Sequence, residues 1–223
     1  MIVEEFERPT DDQIAALREI NPNDLGHHAH FGHSSPQVKF MGTSESPNIV
    51  GPALTVRIPP MDGTMVHKAT EIARPGDVIV IDVGGHETNA CWGDITSHAA
   101  VASGVEAVVI DGAITDTGDI KDIDFPTFAR ARSTRTVQRM DRCLGGDINV
   151  PIQAGGAVVH PGDVAVGNEE GVLFVPQDEI ERALDLCAGN DGREADIIER
   201  LRNGESLADI SGANNRIAQM DPE

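Results

Sequence analysis

Two aspartates stand where this chain could do chemistry on a charged ligand. Asp116 closes AITD, the loop that follows the buried-strand run VVIDG (108–112). Carboxylates just past the carboxyl end of a buried strand sit where α/β proteins keep their ligands. Asp94 lies in DVGGHETNACWGDI (82–95), which also follows an apolar run and leads into a helical stretch. The free amides of a helix's first turn can donate to a carboxylate or phosphate. A lone aspartate in either place reads first as a cap or turn residue. Together, one loop offers amides and the other a carboxylate. That pairing suits a hard divalent cation, bound through oxygen and retained water, holding an oxyanionic substrate.

Other constellations are weaker. His27, His28, His30 and His33 cluster in HHAHFGH, but a zinc site wants Cys or carboxylate partners at fixed spacing on a rigid frame. His67, His86, His98 and His160 are scattered and read as surface or core histidines. The three cysteines, Cys91, Cys143 and Cys187, have no CxxC or metal spacing and read as reduced thiols. There is no GxSxG elbow, Rossmann glycine pattern or P-loop. Only three lysines are present (Lys39, Lys68, Lys121), which weighs against Schiff-base chemistry. Carbonyl cleavage on this chain would therefore rely on a metal as Lewis acid.

The elements that must position these residues follow from periodicity and punctuation. A first helix is expected over 10–20, then a loop from Asn21 to Asn48. Strands are expected at 49–58, 77–85, 105–112, Phe125–Ala131 and Val150–Val159, with a hairpin in DVAVGNEEGVLFVP. Helices are expected at 65–73 and 93–103, in a short piece after ITDTGDI, and from Gln177 onward. The polar ANNRIAQMDPE is expected to fray. Two Pro-Gly-Asp triplets, 75–77 and 161–163, each precede an apolar strand and read as one favoured turn used twice. The expectation is an α/β protein with a central β layer, its main domain spanning 1–176 and a C-terminal helical arm 177–223.

Composition bounds the partners. The 223 residues carry 37 Asp+Glu against 17 Lys+Arg, a formal charge of −20, which repels nucleic-acid backbones. No apolar run approaches the roughly 20 residues that cross a bilayer, and MIVEEFERP has no signal-peptide character. A cytoplasmic protein is expected. Scarce lysine, high acidity and no tyrosine further point to a halophilic, high-salt interior.

Between Gly51 and Pro176 the chain resembles the RraA-like family, which includes 4-hydroxy-4-methyl-2-oxoglutarate aldolases and regulators of ribonuclease activity. The resemblance lies in GPALTV (51–56), RPGDVIVID (74–82), ACWGD (90–94), GVEAVVIDGAITD (104–116), FPTFAR (125–130), NVPIQAGGAVVHPGDV (149–164) and EEGVLFVP (169–176), in that order. It implies a swivelling β/β/α domain assembled as a homotrimer or hexamer. It also implies a lyase using Mg²⁺ or Mn²⁺ for retro-aldol cleavage or decarboxylation of a 2-oxo acid through a pyruvate-type enolate. The family's motif is Asp, twenty residues, then Arg-Asp. Carried over, Asp116 is the direct metal ligand and Asp94 contacts the metal through water; these two are the catalytic residues. Gly93, Asp94, Ile95, Thr96 and position 115 bind substrate, and Glu194 of a neighbouring subunit completes the metal shell through water.

Position 115, however, is Thr. A guanidinium grips a carboxylate bidentately, whereas a hydroxyl offers one neutral hydrogen bond; the difference is roughly 1.5–3 kcal/mol, about 10- to 150-fold in binding. The departure predicts weak pyruvate-type activity, another substrate, or a guanidinium from elsewhere, for which Arg130 and Arg132 in FPTFARAR are the candidates. Two other readings compete with the lyase: a non-catalytic regulator of a protein partner, and a related metal enzyme acting on another small oxyanion.

Overall fold

The computed structural model describes residues 1–42, 47–137, 142–188 and 190–220. In chain order the elements are α1 (Asp11–Arg18), α2 (Pro22–His28), β1 (Lys39–Phe40), β2 (Ile49–Arg57), α3 (Thr64–Ile72), β3 (Val78–Trp92), α4 (Asp94–Ala102), β4 (Ala107–Ile114) and α5 (Thr117–Asp122). There follow β5 (Thr127–Arg132), β6 (Asp147–Ile148), β7 (Ile152–Ala154), β8 (Ala157–Val159), β9 (Val164–Asn168), β10 (Gly171–Val175), a 3₁₀ turn, α6 (Ile180–Cys187), α7 (Asn190–Arg202), α8 (Leu207–Ile210) and α9 (Ala213–Ala218).

The fold is mixed α/β. One sheet runs β1-β5-β4-β3-β2-β9-β10, with β6 added beside β2. Its centre, β5-β4-β3-β2, is parallel, linked through α5, α4 and α3, and flanked by antiparallel β1 and β9. Strands buried on both faces need continuous apolar runs, and every residue of β4 is buried. One face packs Trp92, Val66, Ala100 and Ile120 under the helices. The other packs Phe128, Val109 and Phe174 beneath the β7–β8 hairpin.

Four expectations change. The stretch Asn21–Asn48 contains α2, started by Asn21, whose side chain accepts from the Asn23 amide, with Pro22 in its first turn. Val150–Val159 is not one strand but the hairpin β7–β8, turned at Gly155 and Gly156, both at positive φ. The pair Gly84-Gly85 does not end β3. At φ 66° and 71° these residues let the strand bulge and resume, so β3 reaches Trp92. Ala213–Ala218, within the segment expected to fray, is helical.

The twin Pro-Gly-Asp triplets are one turn used twice. Gly76 and Gly162 sit at φ 86° and 89°. The Arg74 amide donates to Asp77 Oδ2 at 2.9 Å, and the His160 amide donates to Asp163 Oδ2 at 2.7 Å.

The chain divides into compact units Met1–Leu186 and Cys187–Glu223. The division falls past residue 176 because α6 buries Ile180 and Ala183. The second unit consists of α7, α8 and α9, with Ser206 capping α8 and an Arg200–Glu205 ion pair. Among the described residues no helix is long and apolar enough to cross a membrane.

Candidate active site at the ends of β3 and β4

The register of β3 against β4 builds the site. Asp82 pairs with Asp111, His86 with Gly112, Ala90 with Ala113 and Trp92 with Ile114. Through its bulges β3 uses residues 82–92 to cover the length that β4 covers with 111–114, so the two strands end level. The Thr115 amide donates to Trp92 O at 2.9 Å, setting Gly93-Asp94 beside Thr115-Asp116.

Asp116 takes a left-handed backbone conformation (φ 52°, ψ 38°) at the start of α5, a conformation Asp adopts more readily than most residues. Its exposed carboxylate accepts the Asp94 amide at 3.3 Å on Oδ2 and the Thr115 hydroxyl at 3.2 Å on Oδ1. Both contacts are long, which leaves acceptor capacity for a cation. Gly93 permits the approach: a Cβ there would lie 2.5 Å from Asp116 Oδ2 and 2.8 Å from Thr115 Cγ2. The Asp94 carboxylate faces His98 one turn along α4, with Nε2 to Oδ1 at 3.3 Å.

The start of α4 is held from below. The Trp92 indole donates to Ser97 Oγ at 2.7 Å, and Ser97 Oγ donates to Gly93 O at 2.9 Å. The Gly93 amide donates to Thr96 Oγ1 at 2.9 Å. Of the predicted Gly93–Thr96 amides, that of Gly93 is therefore engaged internally and that of Asp94 leans on Asp116. The amides of Ile95 and Thr96 precede the first helical bond, Ser97 N–H to Gly93 O, the position at which helix amides are left for a cap or an anion. Ile95 is among the most exposed apolar side chains, at 79%.

Two clefts meet along Thr115 and Asp116. One, of about 150 Å³, runs from Ala90 to Thr96 and across to Thr136 and Val137. The other, of about 190 Å³, is lined by Ile114, Thr117, Arg132, Ser133 and Thr134. Cys91 lines the first, but burial pushes its thiol up to about 12, which removes it as a nucleophile at neutral pH.

Arg130 is not available as a clamp. Its Nε donates to Asp111 and its Nη1 to Gln37. Asp111, buried, also accepts the Gly155 amide at 3.0 Å. A clue to this pairing lies in the sequence: each of the apolar runs VVID and TFAR carries a single charge, and a buried charge needs a partner. Glu194 is exposed on α7 in the second unit. Among the described residues no three metal-ligating side chains converge, and this includes the histidine tract. There His33 Nε2 bonds with Ala29 O at 2.9 Å, while His27 and His28 close α2.

The donor set suits Mg²⁺ or Mn²⁺. Asp116 with open lone pairs, Asp94 one amide away and a cradle that only glycine leaves room for match ions that keep waters and take one or two carboxylates.

The sequence profile of the RraA-like family, described as Aldolase/RraA, matches residues 21–174. This chain belongs to the RraA-like family. A Halalkalibacterium halodurans relative provisionally named 4-hydroxy-4-methyl-2-oxoglutarate aldolase is 38% identical over 71% of this chain and 76% of its own. Among solved structures, a Pseudomonas syringae protein of unassigned function superposes with a TM-score of 0.78 at 23% identity, over 94% of this chain and 97% of its own. The structure described as the RNA-processing inhibitor RraA from Thermus thermophilis superposes with a TM-score of 0.62 at 26% identity, over 71% of this chain and 93% of that one. The profile match contains the whole Gly93–Thr96 and Thr115–Asp116 corner.

Proposed function

We propose that this RraA-like protein is a divalent-metal-dependent lyase that cleaves a carbon–carbon bond of a small 2-oxo acid, by retro-aldol cleavage or decarboxylation. The observation that carries the reading is the corner where Asp116 and the Asp94 amide meet beside Gly93, open to two clefts. The provisional aldolase name of the Halalkalibacterium relative supports it.

Asp116 would hold Mg²⁺ or Mn²⁺ directly, with Asp94 acting through water. When bound, such an ion supplies Lewis-acid polarisation of the 2-oxo group, lowering the cost of the pyruvate-type enolate left on cleavage. The chain's own part is placement. The Ile95 and Thr96 amides face the substrate carboxylate, Thr115 offers a neutral hydroxyl, and the Trp92–Ser97–Gly93 chain fixes the loop so that little order is lost on binding. His98, bonded to Asp94, orients that carboxylate. Glu194 from a neighbouring copy in a trimer or hexamer would complete the outer shell.

The test is pyruvate release from oxaloacetate and 4-hydroxy-4-methyl-2-oxoglutarate with Mg²⁺ or Mn²⁺, before and after Asp116→Ala. The variant should keep its circular dichroism and lose activity by on the order of 10³-fold or more, the several kcal/mol expected of Lewis-acid stabilisation. Undiminished turnover in the variant, or none from wild type on any 2-oxo acid, sinks the lyase. The latter result with Mn²⁺ still bound would favour a metal enzyme for another oxyanion. Without metal binding it would favour a regulator like the Thermus protein.

A further inference from the structure

The corner poses a charge problem. An oxyanionic substrate must approach Asp94 and Asp116 on a chain of formal charge −20, yet the described residues lining the first cleft include neither lysine nor arginine. The second cleft shares Thr115 and Asp116 as its wall and holds one cationic side chain, Arg132.

Arg132 is placed by the sheet. It pairs with Ile114 across β4–β5, and the next amide, Ser133 N–H, donates to Ile114 O at 2.9 Å. Its Cα therefore stands level with the residue before Thr115. The backbone beyond is pinned: Ser133 Oγ donates to Thr88 O at 2.6 Å and accepts the Arg135 amide at 3.1 Å. The side chain, in contrast, is exposed. Among the described residues it has no ion pair, and its one hydrogen bond is a 3.5 Å contact from Nη2 to Met41 O. Arg130, two residues earlier, is held by Asp111 through Nε and by Gln37 through Nη1.

We infer that Arg132 supplies the guanidinium that grips the substrate carboxylate at this site, the task Thr115 cannot perform from position 115. A fixed backbone with a guanidinium free of ion pairs among the described residues, at the rim of the Asp116 corner, allows bidentate recognition of a planar carboxylate. Its charge also offsets the repulsion that the two aspartates exert on an incoming anion. The ligand class is a small 2-oxo acid carboxylate or a planar mimic such as oxalate. This inference rests on the metal-lyase reading for its substrate, but the clamp can be tested by binding alone.

The experiment measures Mn²⁺ affinity, then oxalate affinity in saturating Mn²⁺, by calorimetry on the full chain. It compares wild type, Arg132→Gln, Arg132→Lys and the double variant Thr115→Arg/Arg132→Gln. Arg132→Gln should weaken oxalate about 10- to 150-fold, the loss expected for one charge-assisted contact, and leave Mn²⁺ affinity within about twofold. Arg132→Lys should fall between the two, and the double variant should recover part of the loss. If oxaloacetate is turned over, Arg132→Gln should raise KM more than it lowers kcat. Oxalate binding equal to wild type in Arg132→Gln overturns the clamp, as does a wild type that binds Mn²⁺ but no oxalate. If wild type binds oxalate through Arg132 yet cleaves no 2-oxo acid, the clamp stands and the lyase reading falls.

Discussion

Strands β4 and β5 carry two aspartate–arginine constellations a few residues apart, one within the strands and one where they end, and the two are built in opposite ways. Asp111 and Arg130 form a closed cluster. Asp111 is buried, Arg130 fills one of its oxygens, the Gly155 amide fills the other, and Gln37 takes a further guanidinium hydrogen. Asp116 and Arg132 form an open one. Asp116 is exposed with two long contacts, and among the described residues Arg132 makes one hydrogen bond, to a carbonyl at 3.5 Å. Similar residue types on the same strand pair thus serve the fold when saturated and remain available to a ligand when not. Hydrogen-bond completeness, rather than residue type, separates the structural pair from the one we propose to be functional.

If that contrast holds, the closed cluster should answer to stability and the open one to binding. Arg130→Leu leaves the Asp111 carboxylate buried without its cation and should cost about 3–5 kcal/mol. Denaturant unfolding checks this, and a loss below about 1 kcal/mol would mean that Asp111 finds water or a proton cheaply. Gly93→Ala acts on the open side. Its Cβ would press on Asp116 Oδ2 and Thr115 Cγ2, so a smaller stability loss of about 1–3 kcal/mol is expected. The larger consequence should be loss of Mn²⁺ affinity, measured directly; an alanine variant that binds Mn²⁺ like wild type would show that the corner opens freely.

The smallest effect belongs to Asp163, a buried carboxylate capped by the His160 amide, with the His160 imidazole 3.6 Å away and, among the described residues, no arginine paired with it. Burial pushes its carboxyl above the usual aspartate range, against the opposing pull of the His160 amide. A folded-state value above the unfolded one favours the protonated form, so its contribution to stability is greatest in acid and declines as pH rises through the raised value. Asp163→Asn removes that decline. The melting temperature of the variant relative to wild type should rise from about pH 4 to about pH 7. A flat difference would show that Asp163 is already neutralised by other means, and would weaken the case that Asp111 needs Arg130.

Much of this was legible from residue order. The buried strands announce themselves as unbroken apolar runs, and Asp94 and Asp116 stand where such runs end. What one chain cannot display is register. The Gly84-Gly85 pair reads as a strand end because paired glycines usually punctuate; the φ values that turn it into a bulge come from β4 holding the strand on both sides. Arg130 and Arg132 look interchangeable in FPTFARAR. Only the pairing of Ile110 with Ala129 and of Ile114 with Arg132 sends one to Asp111 and leaves the other beside Thr115. The helix Pro22–His28 was hidden by its own glycine and histidines, which are weak helix formers, although Asn21-Pro22 is a sound start signal.

The bulged β3 has a consequence for local opening. The hydrogen bonds that join Gly93 and Asp94 to Thr115 and Asp116 all lie between residues 92 and 116, whereas the far edge of the sheet depends on β9 returning to β2, with Ile49 opposite Gly167. Peeling β9 and β10 away breaks none of those corner bonds. Amide exchange at Ser97 and Thr115 can therefore be slow while exchange along 164–175 is fast, and the two segments can behave as separate cooperative units.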